Sequence, residues 1–116
     1  MTTTHPPSTL PHHKLQVYAL IIELVHLIGA LQIGDAQLRQ QARKSVGSCA
    51  LNTAEGAARR SRADKSRVYG IALAEVCEAA AAVEIAGALG TCRRADVERV
   101  VRLAERIKDM LSRLVH

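Results

Sequence analysis

The sequence predicts an all-α fold, an antiparallel up-down-up-down four-helix bundle. Three observations carry that expectation. Ala, Leu, Val and Ile supply 49 of the 116 residues, and Ala, the strongest helix former, alone 19. Phe and Trp are absent and only Tyr18 and Tyr69 remain, so the aromatic strand signature of an all-β domain is missing. Pro and Gly together number ten, too few for a collagen-like or turn-dense chain. Four amphipathic stretches with short polar links fill residues 13–116, the length of one domain.

Residues 1–12 hold all three Pro and little to bury, and read as a disordered tail. Helix 1 is expected from His13 to about Leu31. Stepped at ~100° per residue, its apolar side chains from Val17 to Leu31 fill an arc of roughly 220°. A surface helix needs little more than ~100° of apolar arc, so the surplus reads as a second face packed on another subunit. Gly34-Asp35 ends helix 1 and opens helix 2, with Asp35 as N-cap. Helix 2 is expected from Ala36 to Arg59, with a small-residue face of Ala42, Val46, Cys49, Ala50, Thr53 and Ala57. Small side chains let helices approach closely. Ser61 and Asp64 resemble a capping box, with Asp in place of Glu, opening helix 3. Helix 3 runs to about Leu89, where Gly90 is a natural stop. Helix 4 carries Val97, Val100, Ala104, Ile107, Leu111 and Leu114 at spacings of 3 and 4, a bundle seam.

The formal net charge is +5. Residues 36–67 hold eight bases and two acids, so the rest of the chain is near neutral. Concentrated basic charge attracts polyanions, although it also serves as a solvated face. Cys49, Cys77 and Cys92 lack any Cys-x-x-Cys spacing, which leaves no zinc or redox motif. Cys49 and Cys77 are expected in the core. Reduced thiols and no signal peptide point to the cytoplasm. The uncharged run Leu24–Gly34 is 11 residues, short of the ~20 a membrane span needs.

Three constellations could carry chemistry. The polar stripe Gln41, Ser48, Asn52 and Glu55 on helix 2 could face Glu75 and Glu78 of helix 3. It reads as a structural network that fixes helix register, or as part of a subunit interface. No nucleophile–base pair accompanies it, so no catalytic residue and no enzymatic activity are expected. Glu23 and His26 form a Glu-x-x-His, the ligand pair of di-iron bundles, but the required second pair is missing. A solvated or interface pair is the default, with no metal and no cofactor. Arg59, Arg60, Arg62, Lys65 and Arg67 set five bases against one acid within nine residues. This turn is either a solvated link or a phosphate-contact patch, extended by Arg43 and Lys44. With aromatics nearly absent, base stacking is not available to it.

Residues 41–56 read Gln-Ala-Arg-Lys-Ser-Val-Gly-Ser-Cys-Ala-Leu-Asn-Thr-Ala-Glu-Gly. They resemble the signature of the four helix bundle protein family, also called the 23S rRNA intervening-sequence protein family. Gln41, Arg43, Lys44, Ser48, Asn52, Ala54, Glu55 and Gly56 fall on that pattern in register. Arg59, Arg60, Ser61 and Asp64 fit the basic turn that follows it, and Ile71-Ala72-Leu73 and Glu78 the third helix. Leu15, Val17 and Tyr18 fit the start, and Lys108-Asp109-Met110-Leu111 the end. The chain departs from the pattern at Cys49, Ala50, Thr53 and Glu75, and in a third helix whose only aromatic is Tyr69. The resemblance implies antiparallel bundles assembled into ring-like homopentamers, with no assigned catalysis. A structurally similar group, the accessory proteins of diversity-generating retroelements, binds nucleic acid and a reverse transcriptase through a basic surface. The chain is therefore expected to be a homo-oligomer whose partner is RNA or DNA, held at the turn between helices 2 and 3. The alternative is a scaffold or protein-interaction module without nucleic-acid binding.

Overall fold

The computed structural model describes residues 7–115. The first six residues of the expected tail, and His116, lie outside the described residues. Four helices follow in order: α1 (Gln16–Ala30), α2 (Ala36–Ala58), α3 (Arg62–Ala88) and α4 (Arg94–Val115), with no strand among the described residues. Each helix packs on two neighbours, in the cyclic order α1, α2, α3, α4 and back to α1. All four contribute to one core, built on Ile21, Leu24, Ile28, Ile107 and Leu111. Fully burying each of these side chains stabilises the fold by about 1.5–3 kcal/mol.

The helix boundaries follow from local chemistry. Pro11–Lys14 form a 3-10 turn with Pro at its start, so the boundary drawn at residue 12 falls inside that turn. His12 meets the Tyr18 ring edge-on, with centroids 4.6 Å apart. Leu15 is extended, and α1 therefore begins at Gln16 rather than at His13. Asp35 caps α2 as expected, accepting from the Leu38 N–H at 2.9 Å. At the end of α3, Gly90 takes a left-handed φ of 78°. There Thr91 N–H reaches Ala86 O and Gly90 N–H reaches Gly87 O, the two bonds of a Schellman stop. Gly34 N–H donates to Thr91 O at 2.8 Å, which ties the α1–α2 link to the α3–α4 link.

Packing differs from expectation in two places. Cys77 is exposed rather than in the core, whereas Cys49 and Cys92 are buried. The α3 face toward the core runs through Val76, Ala79 and Val83, and Cys77, one residue on from Val76, turns away from it. The apolar surplus of α1 is half-buried: Leu20, Ile22, Val25 and Leu27 pack against the core edge. The exposed large apolar side chains within the helices are instead Leu51 of α2 and Ile71 and Ile85 of α3.

Candidate nucleic-acid interface

The basic turn is built by two helix ends. The small-residue face of α2 buries Ala42, Val46, Cys49, Ala50 and Thr53, and the Thr53 hydroxyl donates to Cys49 O at 2.8 Å. Gly56 ends that face. A Cβ placed there would lie 2.8 Å from Cδ1 and Cε1 of Tyr69, so only glycine lets the Tyr69 ring lie against α2. This contact fixes α3 beside the last turn of α2 and leaves Arg59, Arg60 and Ser61 to connect them. Ser61 caps α3, its Oγ accepting from the Asp64 N–H at 3.1 Å. The reciprocal half of the capping box is absent, because the Asp64 carboxylate is engaged by two arginines.

The five bases of the turn separate into two groups. Arg59 pairs with Glu55 and, at 3.4 Å, with Asp64. Arg67 pairs with Asp64 at 2.9 Å. Hydrogen bonding from Arg67 and the charge of Arg59 hold the Asp64 carboxyl below its ordinary value. The bond to Glu55 and the charge of Asp64 push Arg59 further up. Lys65 Nζ donates to the carbonyls of Ala57 at 2.7 Å and Gly56 at 3.3 Å, placing a cation on the negative end of α2. Arg60 and Arg62 are exposed and meet no carboxylate among the described residues. They are the two guanidinium groups of the turn that a phosphate reaches at no cost in internal pairing.

The other expected residues are placed elsewhere. Arg43 is exposed and donates to Gly29 O at 2.8 Å, so it closes the C-terminal end of α1. Lys44 is exposed on the neighbouring turn of α2. About four helical turns separate the pair from Arg59. The polar stripe does not form one network. Gln41 donates to Glu78 at 2.9 Å and to Ser45 at 3.0 Å, and this is its bridge between helices. Asn52 turns back on Ser48 within α2, and Glu55 belongs to the arginines of the turn. Glu75 is half-buried and joins none of these bonds.

Glu23 and His26 are exposed and line an open groove between α1 and α4. No cluster of three or more metal-ligating side chains occurs among the described residues. Burial pushes the Cys49 thiol up to about 12, so it stays protonated and is unsuited to act as nucleophile or ligand.

One contributor was not read from sequence. The Ser66 hydroxyl bonds the Val115 carbonyl, which brings the last turn of α4, with exposed Arg113, beside the basic turn. Arg113 lies 46 positions from Arg67 in the chain. In the sequence, only the expected up-down course of the bundle could have signalled its approach.

Residues 13–113, nearly all of the helical region, match the family described as 23S rRNA-intervening sequence protein. The chain belongs to that family. The match covers all three of the links and the turn described above, and no enzymatic activity is known for the family. No curated protein matches the chain. None of the described helices is long and apolar enough to cross a membrane.

Proposed function

We propose that this protein is a non-enzymatic, homo-oligomeric bundle that binds RNA or DNA electrostatically through one basic end. The carrying observation is the pair Arg60 and Arg62, exposed and without a carboxylate partner in a turn whose other bases are internally engaged. An up-down-up-down course of the helices supports gathering more charge there. Arg43 against Gly29, Gly56 against Tyr69 and Ser66 against Val115 are contacts between successive helices that support this course. In that course Lys14, 15 residues before Gly29, lies level with Arg59, 16 residues after Arg43. His12, His13, Lys14 and Arg113 then join Arg60 and Arg62 at one end of the bundle.

With aromatic side chains nearly absent, the grip is on phosphate and weakly sequence-specific. Assembly into a ring, a pentamer by likeness to the family, would repeat the basic end around an axis, and several weak patches then bind multivalently. A cytoplasmic location suits the three free thiols. The second reading, a scaffold for another protein, draws on exposed Leu51, Ile71 and Ile85.

Fluorescence anisotropy with a mixed-sequence RNA tests the proposal. Arg60→Ala/Arg62→Ala is expected to weaken binding well beyond Arg43→Ala/Lys44→Ala. Equal affinity of the Arg60/Arg62 variant and the wild type would remove the site.

A further inference from the structure

We propose that the outer face of α3 docks into the groove between α1 and α4 of a second copy of this chain. The inference rests on the homo-oligomer reading and names the two surfaces that would meet.

The outer face of α3 carries Ile71, Ala74, Glu78, Ala81, Ile85 and Ala88, all exposed and spaced 3, 4, 3, 4, 3. This is the spacing of a coiled-coil seam. It lies away from the seam that α3 gives to its own core through Val68, Ala72, Val76, Ala79 and Val83. Ile71 and Ile85 remain 41% and 50% exposed. Between Tyr69 and Arg93 the chain has three acids, Glu75, Glu78 and Glu84, and no base. Two such faces crossing antiparallel about their centre would set each Glu78 opposite Ala81 and within one helical turn of the other copy's Glu78. Like charges so placed oppose the pairing, and the face calls for a basic receptor.

The same chain offers one. The groove between α1 and α4 has a volume of about 1500 Å³, with Leu27, Leu31 and Leu103 among its apolar lining. Arg39, Arg93 and Arg99 line it too. Arg39 donates to Ile33 O and has no carboxylate partner among the described residues. Asp96 is buried beneath Arg93 at 3.3 Å and Arg99 at 3.8 Å, so its charge is covered and theirs is presented outward. The only exposed acid of the groove is Glu23. An acidic, apolar ridge thus faces an apolar floor with an arginine rim. Because ridge and groove are different surfaces, the contact is head-to-tail, the kind that closes a ring when its rotation permits.

Two full-length variants test this by light scattering. Ile71→Glu/Ile85→Glu spoils the ridge, and Ala30→Trp fills the groove; all three positions are exposed, and circular dichroism checks that helicity is kept. Wild type should have a mass that is a multiple of 12.5 kDa, and each variant alone the 12.5 kDa of a monomer. A 1:1 mixture should form a species of twice the 12.5 kDa chain mass, since one intact ridge seats in one intact groove and growth stops there. Should the ridge variant lose helicity, Ala81→Arg, exposed at the middle of the same ridge, takes its place with the same expected mixture. Variants that assemble like an assembled wild type, or a mixture that stays monomeric, overturn the ridge-and-groove inference alone. A monomeric wild type overturns the homo-oligomer reading and the inference with it.

Discussion

Gly56 and Gly47 lie on the same helix and make opposite predictions for the same substitution. A Cβ at Gly56 would stand 2.8 Å from two atoms of the Tyr69 ring, while a Cβ at Gly47 meets nothing within 4 Å. Replacing glycine by alanine inside a helix favours folding by about 0.5–1 kcal/mol at either place. At position 47 that gain stands alone, and Gly47→Ala should stabilise the protein. At position 56 the Tyr69 ring must move, and it is packed inside the protein, only 5% exposed. Overpacking of this kind costs about 1–3 kcal/mol. The two variants should therefore differ by about 1–3 kcal/mol, with Gly56→Ala the less stable. Urea unfolding at one fixed protein concentration measures this through the shift in midpoint. In a Tyr69→Ala background the difference should largely vanish, because the ring is what the new methyl meets. Equal midpoints for Gly56→Ala and Gly47→Ala would refute the close approach of α2 and α3 on which the shape of the basic turn depends.

Further outcomes follow from other contacts. Ser61→Ala removes the cap from α3 and should cost about 1 kcal/mol in the same urea assay. Asp64 is held below the ordinary carboxylate value of 3.8, so its contribution is present above that value and is lost as pH falls through the lower folded pKa. The midpoint advantage of wild type over Asp64→Asn should hold from neutral pH down to about 4 and close below it. In native protein at pH 8 a thiol reagent should modify exposed Cys77 quickly. Buried Cys49, its thiol pushed up to about 12, should react only on unfolding. Fast modification of Cys49 would contradict its burial.

The helix ends were legible because each is written in local chemistry: Asp35 and Ser61 as caps, Gly90 as the left-handed stop. The start of α1 was not, since the 3-10 turn at Pro11 displaces it by three residues and leaves no polar cap to mark it. Cys77 was misplaced because α3 is apolar or small on nearly every side, so periodicity cannot tell its inner seam from its outer one. In the candidate site, the sequence located the basic turn but not its internal pairing. Arg59–Glu55 and Arg67–Asp64 sit at the local spacings i,i+4 and i,i+3, but Arg59 on Asp64 and Lys65 on the last carbonyls of α2 depend on how the two helix ends meet at Gly56 and Tyr69. The polar stripe shows a related limit: its spacing puts Gln41, Asn52 and Glu55 on one face, yet only Gln41 reaches α3, while Asn52 and Glu55 pair four residues away along their own stretch of chain.

The most direct measurement of the phosphate grip is the salt dependence of RNA affinity for wild type and Arg60→Ala/Arg62→Ala between about 50 and 200 mM salt. Plotted as log affinity against log salt, wild type should fall steeply, and the variant should show a slope shallower by about 1–2, the counterions that two lost phosphate contacts no longer release. Parallel lines for the two proteins, or a wild-type affinity indifferent to salt, would contradict binding through this turn.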